Sequence, residues 1–183
     1  MKEQTYLTSD NIVIRKSSFD DCVYFDKWES QDYIREFLTI EESRDYEEIV
    51  RELILAEQDD TVLHLTIVLK EEQKPIGRIF LSRIDEKLQS IDITRIYIGE
   101  EECLGKGFGK ESMLLILKYC FDDLGMERVT LDTFDGNEKA SNLYKSLGFI
   151  DEGTLRNATK KNGVFYNLNL KSMLSSEYVK KYK

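Results

Sequence analysis

The chain has 183 residues, of which 41% are hydrophobic and 33% charged, with a formal net charge of −9 at pH 7. That is long enough for one domain with a real core, too apolar for a disordered segment and too acidic for an ordinary nucleic-acid binder. No apolar run nears the roughly 18–20 residues a membrane helix needs, and the opening "MKEQTYLTSD" has no apolar signal-peptide core. Cys22, Cys103 and Cys120 lack metal-ligand spacing, and there is a single histidine. A reduced, cytoplasmic setting without a metal site is therefore expected.

In chain order, "NIVIRK" (Asn11–Lys16) reads as a first strand. "SSFDDCVYFDKWES" and "QDYIREFL" read as helical, with Phe19, Cys22, Val23 and Phe25 on one stripe. A helix is expected over Ser43–Gln58, with Tyr46, Ile49, Val50, Leu53 and Ile54 at helical spacing. Thr61–Lys70 reads as a strand, "EEQKPIG" as a turn, and "GRIFLSRI" and "SIDITRIYIG" as two more strands. In the last of these Ile91 and Ile93 share one face while Ile96 and Ile98 share the other. A period of two allows this through a bulge near Thr94–Ile96, or through a strand covered on both sides.

A glycine-rich loop follows, then a helix to Leu124 with Gly125 as its stop. "RVTLDTF" (Arg128–Phe134) reads as a strand, "NEKASNLYKSLG" as a helix ending at Gly148, and the remainder as a hairpin around Lys161–Gly163. The terminal "VKKYK" reads as a solvated tail. This order is mixed α/β with an antiparallel half.

The loop "LGKGFGK" sets Gly105, Gly107 and Gly109 two apart, between a strand and an apolar helix. A nucleotide P-loop is ruled out by Leu104 and Glu111, and a dinucleotide fingerprint by Lys110 in the place of its third glycine. What fits is a pyrophosphate held by backbone amides at a helix N-terminus; a turn without a ligand is the bland alternative. The second segment puts Ala140, Leu143, Tyr144 and Leu147 on one helical face, with Gly148 and Phe149 opening the next strand.

Together the two segments resemble the GNAT superfamily of acetyl-CoA-dependent N-acetyltransferases. The family's loop motif, (Q/R)-x-x-G-x-(G/A), falls on Leu104, Gly105, Lys106, Gly107, Phe108 and Gly109, with Leu104 where a polar residue is usual. Its second motif, N-x-x-(A/S)-x-x-(L/F)-Y-x-x-x-G-F, falls on Asn137, Ala140, Leu143, Tyr144, Gly148 and Phe149 without a gap. The resemblance implies one N-acetyltransferase domain over residues 1–183, matched from about residue 10 to 174. It implies a GNAT fold, a central mixed sheet of about six to seven strands with helices on both faces.

It further implies acetyl-CoA as co-substrate and direct transfer of its acetyl group to an amine. The cofactor would be held by Ile96, Tyr97 and Ile98 along the pantetheine arm, by Leu104, Gly105, Lys106, Gly107, Phe108, Gly109 and Lys110 at the pyrophosphate, and by Asn137, Ala140 and Tyr144. Tyr144 is the expected proton donor to the departing thiolate; the competing reading is a core tyrosine. Asp92, which alternates with Thr94 onto one strand face, is the candidate base; the competing reading is a surface acid. His64 reads as a core residue, and Trp28 and Tyr33 as packing or as walls of an acceptor pocket.

The leucine-started loop is similar to that of aminoglycoside 6′-N-acetyltransferases, and the layout to the RimJ/RimL and spermidine acetyltransferase branches. With the acidic run Glu100–Glu102, this favours a cationic acceptor, a polyamine or aminoglycoside. The alternatives are a protein N-terminus, as for RimJ/RimL, or a non-catalytic acyl-CoA sensor. The expected partner is a small-molecule or peptide amine, with no nucleic acid or membrane; a homodimer is the candidate assembly.

Overall fold

The runs of alternating β-branched residues pair into one sheet, and the computed structural model describes residues 6–39 and 44–183. The strands are β1 (Tyr6–Thr8), β2 (Ile12–Lys16), β3 (Leu63–Leu69), β4 (Lys74–Asp85), β5 (Ser90–Ile98), β6 (Arg128–Phe134), β7 (Ile150–Lys161) and β8 (Val164–Leu174). The helices are α1 (Cys22–Glu29), α2 (Asp32–Arg35), α3 (Tyr46–Glu57), α4 (Phe108–Lys118), α5 (Glu138–Leu147) and α6 (Ser175–Tyr182). The eight strands lie in the order β1-β2-β3-β4-β5-β6-β8-β7, antiparallel except for the parallel pair β5–β6.

The expected mixed sheet with helices on both faces is therefore present, with eight strands. The additional one is β1, which pairs Leu7 with Ile14. At the other end, "VKKYK" is no solvated tail: it supplies the second half of α6, whose buried Tyr178 stacks on Phe121 at 4.7 Å and whose Tyr182 hydroxyl donates to the Leu147 carbonyl at 2.8 Å. Pro75, expected in a turn, already lies in β4 opposite Val68, beside a register irregularity that tolerates its missing donor. The turn Asn162–Gly163, with φ of 48° and 81°, closes the β7–β8 hairpin as expected.

Helices α4–α6 cover one face, packing Met113, Ile116, Leu117 and Leu147 on Ile12, Ile14, Leu65, Ile67 and Ile79. Helices α1–α3 cover the other with Cys22, Phe25, Trp28, Ile34, Ile49 and Leu53. The expected stripes are partly solvent-facing here: Phe19, Val23, Tyr46 and Ile54 are exposed. The Asp45 side chain caps α3 by accepting the Glu48 amide at 3.0 Å; the expected start at Ser43 lies outside the described residues.

Beneath α1–α3 the sheet presents ions as well as apolar side chains. Arg78, fully buried, donates to Glu29 at 2.6 Å and to Glu52 at 2.9 Å, and its guanidinium lies 4.3 Å over the Phe25 ring. Arg44 and Arg95 share the same two carboxylates. The Tyr97 hydroxyl donates to Glu29 at 2.9 Å. His64 stacks on Phe80 and accepts from Arg78 at Nδ1, 3.0 Å away, because a guanidinium can only donate. His64 is thus a core residue.

Burial and the facing guanidinium of Arg78 hold the His64 imidazole down at about 3, against an ordinary 6.5. Despite burial, Arg78, Arg95 and Arg44 hold the Glu52 carboxyl at about 2, against 4.5. Both shifts favour the native state at neutral pH. The histidine contribution is complete above pH 6.5 and is lost as pH falls toward about 3. The Glu52 contribution is complete above 4.5 and is lost on approach to about 2. Thermal melts should show stability declining from near pH 6.5, by at most about 1.4 kcal/mol per pH unit from this histidine. In His64→Gln the decline should begin only near pH 4.5, where carboxylates titrate; a variant that still loses stability between pH 6.5 and 5 like the wild type would contradict this.

Candidate active site

The parallel ladder of β5 and β6 is short. It joins Ser90, Ile91 and Asp92 to Arg128, Val129 and Thr130 and then ends. Just beyond, β5 pairs Ile93 with Leu81 and Arg95 with Phe80, so Thr94 is an inserted residue. The bulge expected near Thr94–Ile96 is present, and it explains why the isoleucines change face. A bulge adds twist, and it bends β5 while β6 stays paired with β8 along its whole length. Ile93 and residues 95–98 keep their β4 partners, and the other edge of this stretch lies open toward β6.

The glycine loop lies at the end of that open edge. The amide of Leu104 closes a turn onto the Glu101 carbonyl at 3.1 Å, after which the chain passes through Gly105 and Gly107 at φ of 74° and 90°. These left-handed values suit glycine, and a Cβ built on either residue meets nothing within 4 Å. Gly107 caps α4, and the first amide with a helical partner is that of Glu111, which donates to Gly107 at 3.0 Å. The amides ahead of it are free of helical bonds and carry the positive end of the helix dipole. Leu104, where the family motif usually has a polar residue, is 37% exposed. An open, donor-rich cradle fits the pyrophosphate of the implied acetyl-CoA.

Between β5 and β6 lies a cavity of about 160 Å³, lined by Ile93–Tyr97, Asp132, Thr133, Asn137, Ala140, Tyr144 and, from α1–α3's side, Tyr33, Ile34, Phe37 and Leu38. A larger open cleft of about 690 Å³, bounded by residues such as Asp10, Lys70, Glu72 and Lys106, contains nothing from β5, β6 or α5. The smaller cavity is the one that Asn137, Ala140 and Tyr144 line. Asn137 caps α5 by accepting the Ala140 amide at 3.1 Å, which fixes the helix that carries Tyr144. Burial, then the Asp132 carboxylate, push the Tyr144 phenol up to about 12. Thr133 Oγ1 is buried with no hydrogen-bond partner among the described residues, an orphan that a ligand in the cavity can satisfy.

Asp92 is buried in the last paired position of β5, and its carboxylate accepts from Thr94 at 2.8 Å and Thr130 at 2.7 Å. It does not line the cavity; Asp132 does. Desolvation and then the neighbouring Asp92 raise the Asp132 carboxyl above its ordinary range. Arg95 also reaches the cavity, with one long hydrogen bond of 3.4 Å to Glu29. Sequence reasoning missed Asp132, Thr133 and Arg95. The signal was the interruption of apolar alternation in "TLDTF" and "ITRIYI", where polar side chains occur inside strands.

The cavity brings Ile96, Tyr97, Asn137, Ala140 and Tyr144 together, with Ile98 further along the same edge and the glycine loop beyond it. Tyr33 is a wall of the cavity, whereas Trp28 packs beneath Gly99 and donates to Glu100 at 2.8 Å. The run Glu100–Glu102 does not reach the cavity: Glu100 is ion-paired with Lys27 at 2.8 Å and with Lys74 at 3.2 Å, and Glu102 also pairs with Lys74.

Known proteins share this fold. The model of the Acetyltransferase (GNAT) family matches residues 23–149. An uncharacterized N-acetyltransferase, p20 of Bacillus licheniformis, is 27% identical over 178 residues, which are 94% of this chain and 97% of that protein. The spermidine N(1)-acetyltransferase of Vibrio cholerae is 30% identical over 113 residues, 61% of this chain and 64% of that protein. A crystal structure of a Vibrio cholerae spermidine N-acetyltransferase, in complex with CoA and spermine, superposes with a TM-score of 0.85 at 22% identity, covering 93% of this chain and 99% of that one. With the family model spanning most of the chain, the chain belongs to the GNAT family of N-acetyltransferases.

Proposed function

We propose that this N-acetyltransferase moves the acetyl group of acetyl-CoA directly to an amine held between β5 and β6. The observation that carries the proposal is the continuity of an open β5 edge, an amide cradle at one end of it and a buried tyrosine in the cavity beside it. In this reading the amides from Gly105 to Lys110 hold the pyrophosphate, and the edge Ile96–Ile98 pairs with the pantetheine arm as a strand would. Bound acetyl-CoA supplies a thioester already activated toward amines.

The acceptor must be neutral to react. A lysine-like ammonium with pKa near ~10.4 is deprotonated only about once in a few thousand at pH 7, a cost of roughly 4–5 kcal/mol. Asp132, with its raised proton affinity, attracts the ammonium and takes up its proton; Asp92 acts through Asp132 by raising that affinity. At a pKa of about 12, the Tyr144 phenol lies some 3 units above an ordinary thiol. Complete proton transfer to the leaving sulfur would then cost about 4–5 kcal/mol, so its first role is a hydrogen bond to the charge that develops there.

A cationic acceptor of the polyamine class draws support from Asp132 and from the spermidine acetyltransferases among the relatives. Arg95 favours a second reading, a peptide N-terminus, because its guanidinium suits carbonyl or carboxylate groups near the reacting amine.

Four outcomes test this function. Gly107→Glu should abolish acetyl-CoA binding measured by calorimetry, since a side chain and a negative charge enter the cradle; wild-type affinity would remove the loop from the cofactor site. Tyr144→Phe should lower kcat by about 10–1000-fold with little change in acetyl-CoA affinity; an unchanged kcat would leave Tyr144 as packing. In a panel of amines read by free-thiol release, a polyamine should turn over fastest, with a KM that rises with salt because exposed charges are screened within about 8–10 Å. Asp132→Asn should raise that KM about tenfold. Fastest turnover on peptide N-termini, with no salt dependence, would instead establish the second reading.

A further inference from the structure

Glu100 stands where β5 leaves the sheet, ahead of the turn into the glycine loop. Its side chain is only 9% exposed, yet three donors converge on it: Lys27 Nζ at 2.8 Å, Trp28 Nε1 at 2.8 Å and Lys74 Nζ at 3.2 Å. Against the cost of burial, these hold its carboxyl down at about 2. The residue before it is locked as well. The Gly99 amide donates to the Ile76 carbonyl at 2.8 Å, and its own carbonyl accepts the Tyr33 hydroxyl at 2.7 Å. A Cβ on Gly99 would come within 2.2 Å of the Trp28 ring, so only glycine allows α1 to sit this close.

Two chains of contact leave this point. Forward, the Cys103 amide donates to the Glu100 carbonyl at 2.9 Å, setting the turn that delivers Gly105 and Gly107. Sideways, Trp28 on α1 and Tyr33 on α2 lead to the cavity wall, of which Tyr33 and Ile34 are part. A carboxylate with three donors at the junction of a ligand-binding loop and an acceptor wall makes the two one mechanical unit.

We propose that Glu100 is a positioning residue that ties the phosphate-binding loop to the α1–α2 wall, so that CoA in the loop sets the wall against which the acceptor binds. This rests on the acetyltransferase reading above, and it does not depend on which amine is the acceptor. By linkage the effect is reciprocal: CoA in the loop and amine at the wall each raise the other's affinity by the same factor. It also assigns Trp28, the only tryptophan in the chain, as a built-in reporter of loop occupancy, although Trp28 does not line the cavity.

The test uses CoA itself as the probe, with calorimetry for affinity and Trp28 emission for the link. In the wild type, CoA should change Trp28 emission saturably, with a midpoint equal to the calorimetric Kd. In Glu100→Gln, which keeps an acceptor for Trp28 but loses both ion pairs, CoA affinity should fall about tenfold and the emission change should vanish at saturating CoA. The KM for the acceptor should rise while kcat at saturation stays within about twofold, a split that general misfolding does not produce. If that variant fails to fold, the double change Lys27→Gln with Lys74→Gln, at lysines that are 58% and 32% exposed, should weaken CoA and the emission change in the same direction. Undiminished emission change and affinity in the variant would overturn the proposal, as would CoA binding to the wild type without any change in emission. A wild-type chain that binds no CoA by calorimetry would overturn the acetyltransferase reading, and this link with it.

Discussion

Backbone hydrogen bonds hold β5 to β6 over three residues and no further, and the rest of the site follows from that early stop. Two parallel strands in a covered sheet normally stay paired, because an unpaired buried amide or carbonyl costs about as much as a lost hydrogen bond. Here the inserted Thr94 turns β5 toward β4, while β6 remains straight against β8 over seven residue pairs. The gap leaves a strand edge without ladder partners among the described residues, the orphaned Thr133 hydroxyl, and room for Tyr144 from α5. Such a defect persists when a ligand supplies the missing partners. The same divergence puts Asp92 and Asp132 on opposite sides of the fork, one sealed by two threonine hydroxyls and one open to the cavity.

The fork has to be held open by something rigid, and the α1–α3 face provides it. Arg44, Arg78 and Arg95 meet Glu29 and Glu52 there, three cations against two anions. Buried ion pairs gain little net stability, because desolvation offsets most of their attraction. They do fix geometry: Glu29 receives Arg78 from β4, Arg95 and Tyr97 from β5, and so sets how the bulged part of β5 lies against α1. The imbalance is carried by Arg95, whose contacts to Glu29 and Glu52, at 3.4 and 3.7 Å, are the longest in the cluster. The cation with the weakest partners is also the one at the cavity wall.

Much of this was legible in the sequence, for local reasons. Glycines that shape a loop or stop a helix and a change of side-chain parity near Thr94 are properties of a few neighbouring residues, and each appears where the pattern puts it. What escaped is non-local. Arg78 finds Glu29 and Glu52 across 49 and 26 positions, and nothing in "GRIF" distinguishes a buried arginine from a solvated one. Glu100 looked like part of a charged loop because its lysine partners come from α1 and β4. The strand β1 has three residues, too few for a periodicity to register, and α6 looked like a basic tail because its lysines outnumber the buried Tyr178 that docks it.

Asp132 and Tyr144 also bear on each other's acidity. Burial is the larger cause of the phenol's rise to about 12 and the Asp132 carboxylate adds to it, which leaves an acid too weak to protonate a thiolate cheaply. In the proposed reaction an ammonium group arrives at that same carboxylate. Its charge, or the proton it leaves behind, cancels the negative field that Tyr144 feels, and the phenol moves back toward its ordinary value near 10. The acid strengthens when the acceptor is in place and weakens when the cavity is empty. In that proposed reaction one carboxylate acts at both ends, on the charge of the incoming amine and on the acidity of the phenol that shares its cavity.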